Sequence, residues 1–212
     1  MTNQQTSGPT VSSTPMSEAR SYANLAAAND YWDILPQAST ASTRAPSTTS
    51  SANVSHPLSP IPIHPRILVE ERALDSYQNI LFSIIHFWRS ASAWPRHLTI
   101  VSHQFKRRRL TEAHCTALSF PLAKVKFVGI NPPGVPEVVD REEEAVAEWI
   151  ADPQGMSENL RAKRRRRNKW DVVQTIFLSD EERGKSGVET RLVDGGREEV
   201  LVERGWRPWG QD

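Results

Sequence analysis

Acidic, hydroxyl and basic side chains recur where the apolar runs of this chain stop. Glu70-Glu71 follow Ile67-Leu68-Val69, Ser102-His103 follow Leu98-Thr99-Ile100-Val101, and Gly129-Ile130-Asn131 follow Val125-Lys126-Phe127-Val128. Asp75, Ser76 and Asn79 fall on the first turn of the helix expected after the first run. Its free N–H groups and positive dipole end could take an anionic group. The alternative is an ordinary capped helix beside a solvated Glu pair. Lys106, Arg107, Arg108 and Arg109 follow Ser102-His103. Helical spacing puts Lys106 and Arg109 on neighbouring faces, where they could clamp a phosphate or carboxylate. The alternative is a solvated basic face with a structural histidine. Asn131 could turn its amide to a ligand or simply shape the next loop. Glu71 or His103 is the acid/base candidate if a reaction occurs there.

Other chemistries find less support. His114-Cys115 are adjacent, so on a helix they point about 100° apart and do not pair. Cys115 is the only cysteine, and no HExxH pattern occurs, so neither a metal site nor cysteine catalysis is expected. The dinucleotide, P-loop and hydrolase fingerprints are absent. Lys163 to Arg167 is a five-residue basic run that could be a nuclear signal or a nucleic-acid patch. Acidic flanks at Glu158 and Asp171, and no aromatic ladder, favour the exposed face of a charged helix. The net charge of +1 gives no bulk field for nucleic acid or membrane. Met1 to Ser12 is polar and does not read as a signal peptide. The longest apolar stretch, Ile80 to Trp88, is too short to span a bilayer. A small anionic molecule is therefore the expected partner, and the cytoplasm the expected compartment, with the nucleus as alternative through Lys163 to Arg167.

Four regions would position these residues. Residues 1–36 hold a helix over Ser17 to Trp32, capped by Ser17. Residues 37–65 are a Ser/Thr/Pro/Ala tract with too few apolar side chains to offset the entropy of ordering, and read as a disordered insertion. Residues 66–135 form the α/β core: a buried strand over Arg66 to Glu70, and a helix capped by Asp75 or Ser76 with Tyr77, Ile80, Leu81, Ile84, Ile85 and Trp88 on one face. A strand over His97 to Val101, a helix over Phe105 to Leu118 and a strand over Lys124 to Val128 complete it, before an irregular Pro132-Pro133-Gly134 loop. Residues 136–212 read as an extension. Helices are expected over Glu142 to Ala151 and Glu158 to Lys169, a strand over Val172 to Leu178, and a hairpin around Asp194-Gly195-Gly196. The expected class is a three-layer, Rossmann-like α/β domain with a mainly parallel sheet. Its ligands would sit outside the carboxyl ends of the strands. Residues 1–16 contain no apolar run, so the first strand of such a domain is missing. Its loss would forfeit on the order of 10 kcal/mol of burial. Either a partner covers the gap, or the chain is a truncated product or an incorrect gene model.

The run Ile67 to Asn79, followed by Leu98 to Arg109, resembles the fungal branch of the SanA/YdcF/ElyC-like proteins, domain of unknown function 218. In that pattern an acidic residue precedes a Ser/Thr and an Asn, and a strand ending in Ser/Thr leads to a helix carrying an Arg. The matching positions are Glu71, Ser76, Asn79, Ser102 and Arg109. Phe127 to Pro133 and Ser17 to Tyr22 are similar too. The family's Gly-Gly turn is here Ser7-Gly8-Pro9-Thr10, which puts Gly8 at the margin of the site. The resemblance implies a Rossmann-like α/β/α fold and a nucleotide-like ligand, S-adenosylmethionine among the candidates. It assigns no reaction. The alternative is a non-catalytic interaction protein, or a degraded paralogue that keeps the core but not the site.

Overall fold

The computed structural model describes residues 16–35, 63–131 and 139–211. Gly8, residues 37–62 of the Ser/Thr tract and the Pro132-Pro133-Gly134 loop lie outside them. Among the described residues the chain is mixed helix and strand, with one two-stranded parallel sheet and one antiparallel hairpin.

Helix α1 spans Glu18–Ala28, with Ser17 as its N-cap. It stops four residues before the expected end. The Asn29 N–H and side chain both bond back to Leu25 O, and Asp30, Tyr31, Trp32 and Asp33 all take left-handed backbone angles. Helix α2, Ser76–Ala91, is capped by Asp75, whose Oδ1 accepts from Gln78 N at 2.8 Å. It carries the centre of the core: Tyr77, Ile80, Leu81, Ile84 and Ile85 are buried at the expected i, i+3, i+4 spacing. Trp88, one turn on, stacks on Trp94 at 4.8 Å between ring centroids. Trp94 in turn meets Trp209, which is fully buried and donates its indole N–H to Leu118 O. The C-terminal segment is thereby part of the core.

Strands β1 (Leu98–His103) and β2 (Val125–Ile130) pair in parallel, Leu98 opposite Val125 and His103 opposite Ile130. Between them the expected helix is present but irregular: a 3-10 turn over Gln104–Lys106, then π-helical turns over Arg109–Cys115. Helices α3 (Val139–Ala151), α4 (Glu158–Arg167) and the short α5 (Asp180–Ser186) follow. The expected hairpin forms from β3 (Thr190–Val193) and β4 (Glu198–Leu201).

Two expected strands are absent. Ile67-Leu68-Val69 lies beside no ladder among the described residues. The backbone that follows is instead satisfied by side chains: Arg72 N donates to Glu70 Oε1, Leu74 N to Gln78 Oε1, while Arg167 and Gln174 donate to the carbonyls of Leu74 and Arg72. A buried backbone needs its hydrogen bonds met, and side chains meet them here as a neighbouring strand would have done. Val172 to Leu178 makes only a single bridge, Gln174 opposite Glu198, and then Phe177 N turns to the Glu199 carboxylate.

Candidate functional site

The N-terminus of α1 meets the chain at Glu71, four residues before the cap of α2. Ser17 caps α1 by accepting from Arg20 N at 3.0 Å, and its hydroxyl donates to Glu71 Oε1 at 2.7 Å. Arg20 reaches the other Glu71 oxygen at 2.7 Å. Burial works to raise the Glu71 carboxyl, but the hydrogen bonds from Arg20 and Ser17 outweigh it and hold the group below the ordinary carboxylate value. Glu71 is thus an ionised group already committed to α1. Four residues on, Asp75 opens α2, and Ser76 Oγ lies 2.8 Å from His114 Nε2.

The cations come from the irregular helix after β1. Arg109 is largely buried, with its Nε 3.1 Å from Glu142 Oε1 on α3 and its charge within electrostatic reach of Asp75. Lys106 is half-buried and forms no ion pair among the described residues. Burial and the Arg109 charge lower its ammonium below the ordinary lysine value, against the pull of Glu142 and Glu18. Glu142 is raised by burial, opposed by Arg109 and Lys106. Glu18 likewise is raised by burial, against a hydrogen bond from Tyr22 and the charge of Lys106. A groove of about 270 Å³ opens beside this cluster, between residues 104–108 and α3, with Phe105 and Val146 as apolar wall and Arg107, Arg108 and Glu142 at its edge.

The links among the expected site residues are indirect: Glu71 bonds to Ser17 beside Glu18, whose charge acts on Lys106, and Ser76 follows Asp75, whose charge acts on Arg109, while Asn79 sits half-buried on the same first turn of α2. The structure leaves three expected residues apart. Ser102 stands half-buried opposite Gly129, His103 stacks on Phe105 at 5.4 Å between ring centroids, and Asn131 is exposed at the end of β2. No side-chain hydrogen bond or ion pair joins them to the cluster among the described residues.

The basic run on α4 is not a solvated face throughout. Arg164 is buried, with NH1 3.2 Å from Asp75 Oδ2 and Nε 3.6 Å from Glu198. Arg167 donates to Leu74 O at 2.9 Å. Arg165 and Arg166 are exposed as expected, and Lys163 and Arg165 pair with Glu148 and Glu158 near the surface. The residues that sequence reasoning missed are Glu142, Arg164, Arg167 and His114. Each acts through a partner distant in the chain.

Among the described residues, no cluster of three or more His, Cys, Asp or Glu is placed to hold a metal, and no helix is long and apolar enough to cross a membrane. Cys115 is buried and its thiol is pushed up to about 11, far from a reactive thiolate.

No protein-family model matches the chain, and no solved structure matches it. It is similar to an uncharacterized protein of Saccharomyces cerevisiae, YOR238W, at 26% identity over 139 residues. The match covers 58% of this chain and 46% of the yeast protein, so the chain spans about half the length of that relative.

Proposed function

We propose that the cluster between the N-termini of α1 and α2 binds a small phosphorylated or nucleotide-like molecule, in a Rossmann-like α/β domain of the SanA/YdcF/ElyC-like type. The observation that carries this reading is the charge balance around Lys106 and Arg109. Both cations are partly desolvated, Arg109 is ion-paired with Glu142, and Lys106 forms no ion pair among the described residues and feels Glu142 and Glu18 only at longer range. An anion beside Lys106 would give it a direct partner. The Ser76 hydroxyl supplies a neutral donor on the first turn of α2, where Asp75 already takes the Gln78 N–H. The groove lined by Phe105 and Val146 gives an apolar wall for a base or similar ring. Glu71 is the acid/base candidate for any reaction at the cluster, after release from Arg20 and Ser17, and His103 stands apart from it, stacked on Phe105.

One observation favours a second reading, a non-catalytic interaction protein. Glu71 is closed on Arg20 and Ser17, and Arg109 on Glu142, as in a network that serves the fold alone. Titration calorimetry with ADP and with pyrophosphate separates the two. The first reading requires binding that Lys106→Ala with Arg109→Ala abolishes in a chain that still melts cooperatively. Equal affinity in that folded double variant would leave only the second.

A further inference from the structure

His114 is fully buried between aromatic rings, 4.6 Å from Trp149 and 5.9 Å from Tyr77 between centroids. Among the described residues no carboxylate is hydrogen-bonded or ion-paired to it, and the charge acting on it is that of Arg109, which opposes a second cation. Burial, reinforced by Arg109, pushes the ring's pKa down to about 3, so it is neutral at any physiological pH. A neutral imidazole carries one proton, on Nδ1 or on Nε2. Among the described residues Nδ1 has no hydrogen-bond partner, whereas Nε2 meets Ser76 Oγ at 2.8 Å. A proton on Nδ1 would bury an unpaired donor. A proton on Nε2 leaves unpaired only a lone pair, the less costly orphan. Ser76 makes no other side-chain hydrogen bond among the described residues, and its residue is half-exposed at the first turn of α2.

We infer that His114 is a positioning residue: its Nε2–H donates to Ser76 Oγ, so that the Ser76 hydroxyl proton is left to donate to an anion at the N-terminus of α2. The inference rests on the anion-binding reading above and adds to it a specific neutral donor fixed from behind. It also explains why a histidine occupies an aromatic pocket, where a phenylalanine would fill the space without a donor.

The test has two arms on the full chain. The first is long-range proton–nitrogen correlation NMR on ¹⁵N-histidine-labelled protein, with His114→Gln used to assign the signal. The expected result is a neutral ring protonated at Nε2 and bare at Nδ1, unchanged between about pH 7 and pH 5. A proton on Nδ1, aimed at the Trp149 ring, or an imidazolium at neutral pH would overturn the inference. The second arm measures pyrophosphate affinity. Ser76→Ala should weaken it roughly tenfold, the worth of one hydrogen bond to an anion. His114→Gln, which keeps an N–H near the position of Nε2, should stay within about threefold of the native chain. His114→Phe should match Ser76→Ala, with no further loss when the two are combined. Equal weakening by Gln and Phe, with Ser76→Ala unaffected, would assign His114 to packing alone. If the native chain binds no pyrophosphate, the anion reading itself falls and takes this donor role with it. If the native chain binds and Ser76→Ala binds equally, only the role of Ser76 and His114 falls. Should His114→Phe fail to fold, the tautomer and the Ser76→Ala affinity still decide.

Discussion

Removing the Asp75 carboxylate should unfold the chain more readily than any comparable surface change. Its Oδ1 caps α2 through Gln78 N at 2.8 Å, and its Oδ2 meets Arg164 NH1 at 3.2 Å, with both side chains about 95% shielded from solvent. Asp75→Ala loses the cap, worth about 1 kcal/mol. It also leaves Arg164 buried with only Glu198, 3.6 Å away, as counterion. Breaking a buried pair from one side costs about 3–5 kcal/mol, and the surviving Glu198 contact places this case at the lower end, about 3. The sum is about 4 kcal/mol, or roughly 8–16 °C in Tm for a domain of this size. Asp75→Asn keeps a capping oxygen and should lose about 3 kcal/mol. Arg164→Met should lose a similar amount, and the double variant Asp75→Ala with Arg164→Met less than the two singles together. Urea denaturation followed by tryptophan fluorescence, at constant slope against denaturant, measures all four. Single losses below about 1 kcal/mol, or strict additivity in the double variant, would show that this pair does not bind α2 to α4.

Acidification should destabilise the chain in part through His114. The unfolded ring takes a proton below its ordinary value of 6.5, whereas the folded ring resists it down to about 3, so the unfolded state binds more protons across that window. Stability should fall by about 2 kcal/mol between pH 6.5 and pH 5 on this account, and pH-dependent urea melts of His114→Gln should be flatter by that amount. Gly210→Ala should cost several kcal/mol in thermal melts. Gly210 has φ +70°, and an added Cβ would lie 2.3 Å from Pro121 Cδ. Lys163→Ala and Arg165→Ala, whose ion pairs sit near the surface, should each change stability by less than about 1 kcal/mol in the same melts, in contrast to Arg164 between them.

The elements that could be read from the sequence are those set by local rules. Asp75 and the apolar spacing after it define α2, and the turn at Asp194-Gly195-Gly196 separates β3 from β4 as its glycines suggest. The apolar run at Ile67-Leu68-Val69 carried the composition of a strand, but a strand exists only with a ladder beside it, and composition does not say what lies alongside. α1 ends short of Trp32 because Asp30 to Asp33 take left-handed backbone angles, which the apolar spacing before them does not signal. In the candidate site, Glu71, Ser76, Lys106 and Arg109 are named by their places after an apolar run and on the first turns of expected helices, which does not reveal their partners. Glu142, Arg164 and Arg167 are not. Asp75 and Arg164 are 89 residues apart, and a run of four arginines gives no hint which one turns inward. His114 was set aside beside Cys115 as an unsuitable metal pair, and its contact with Ser76 spans 38 residues of chain.

The central claim is that Lys106 and Arg109 hold an anion at the N-terminus of α2. The most direct test is a thermal melt of the native chain and of the Lys106→Ala, Arg109→Ala double variant, with and without ADP at about 100 times its Kd. A ligand that binds only the folded state adds about 2.7 kcal/mol at that ratio, so the native Tm should rise by roughly 5–11 °C and the double variant's should not move. Equal shifts in both chains, or no shift in the native chain with ADP, pyrophosphate or an S-adenosyl compound, would contradict the account.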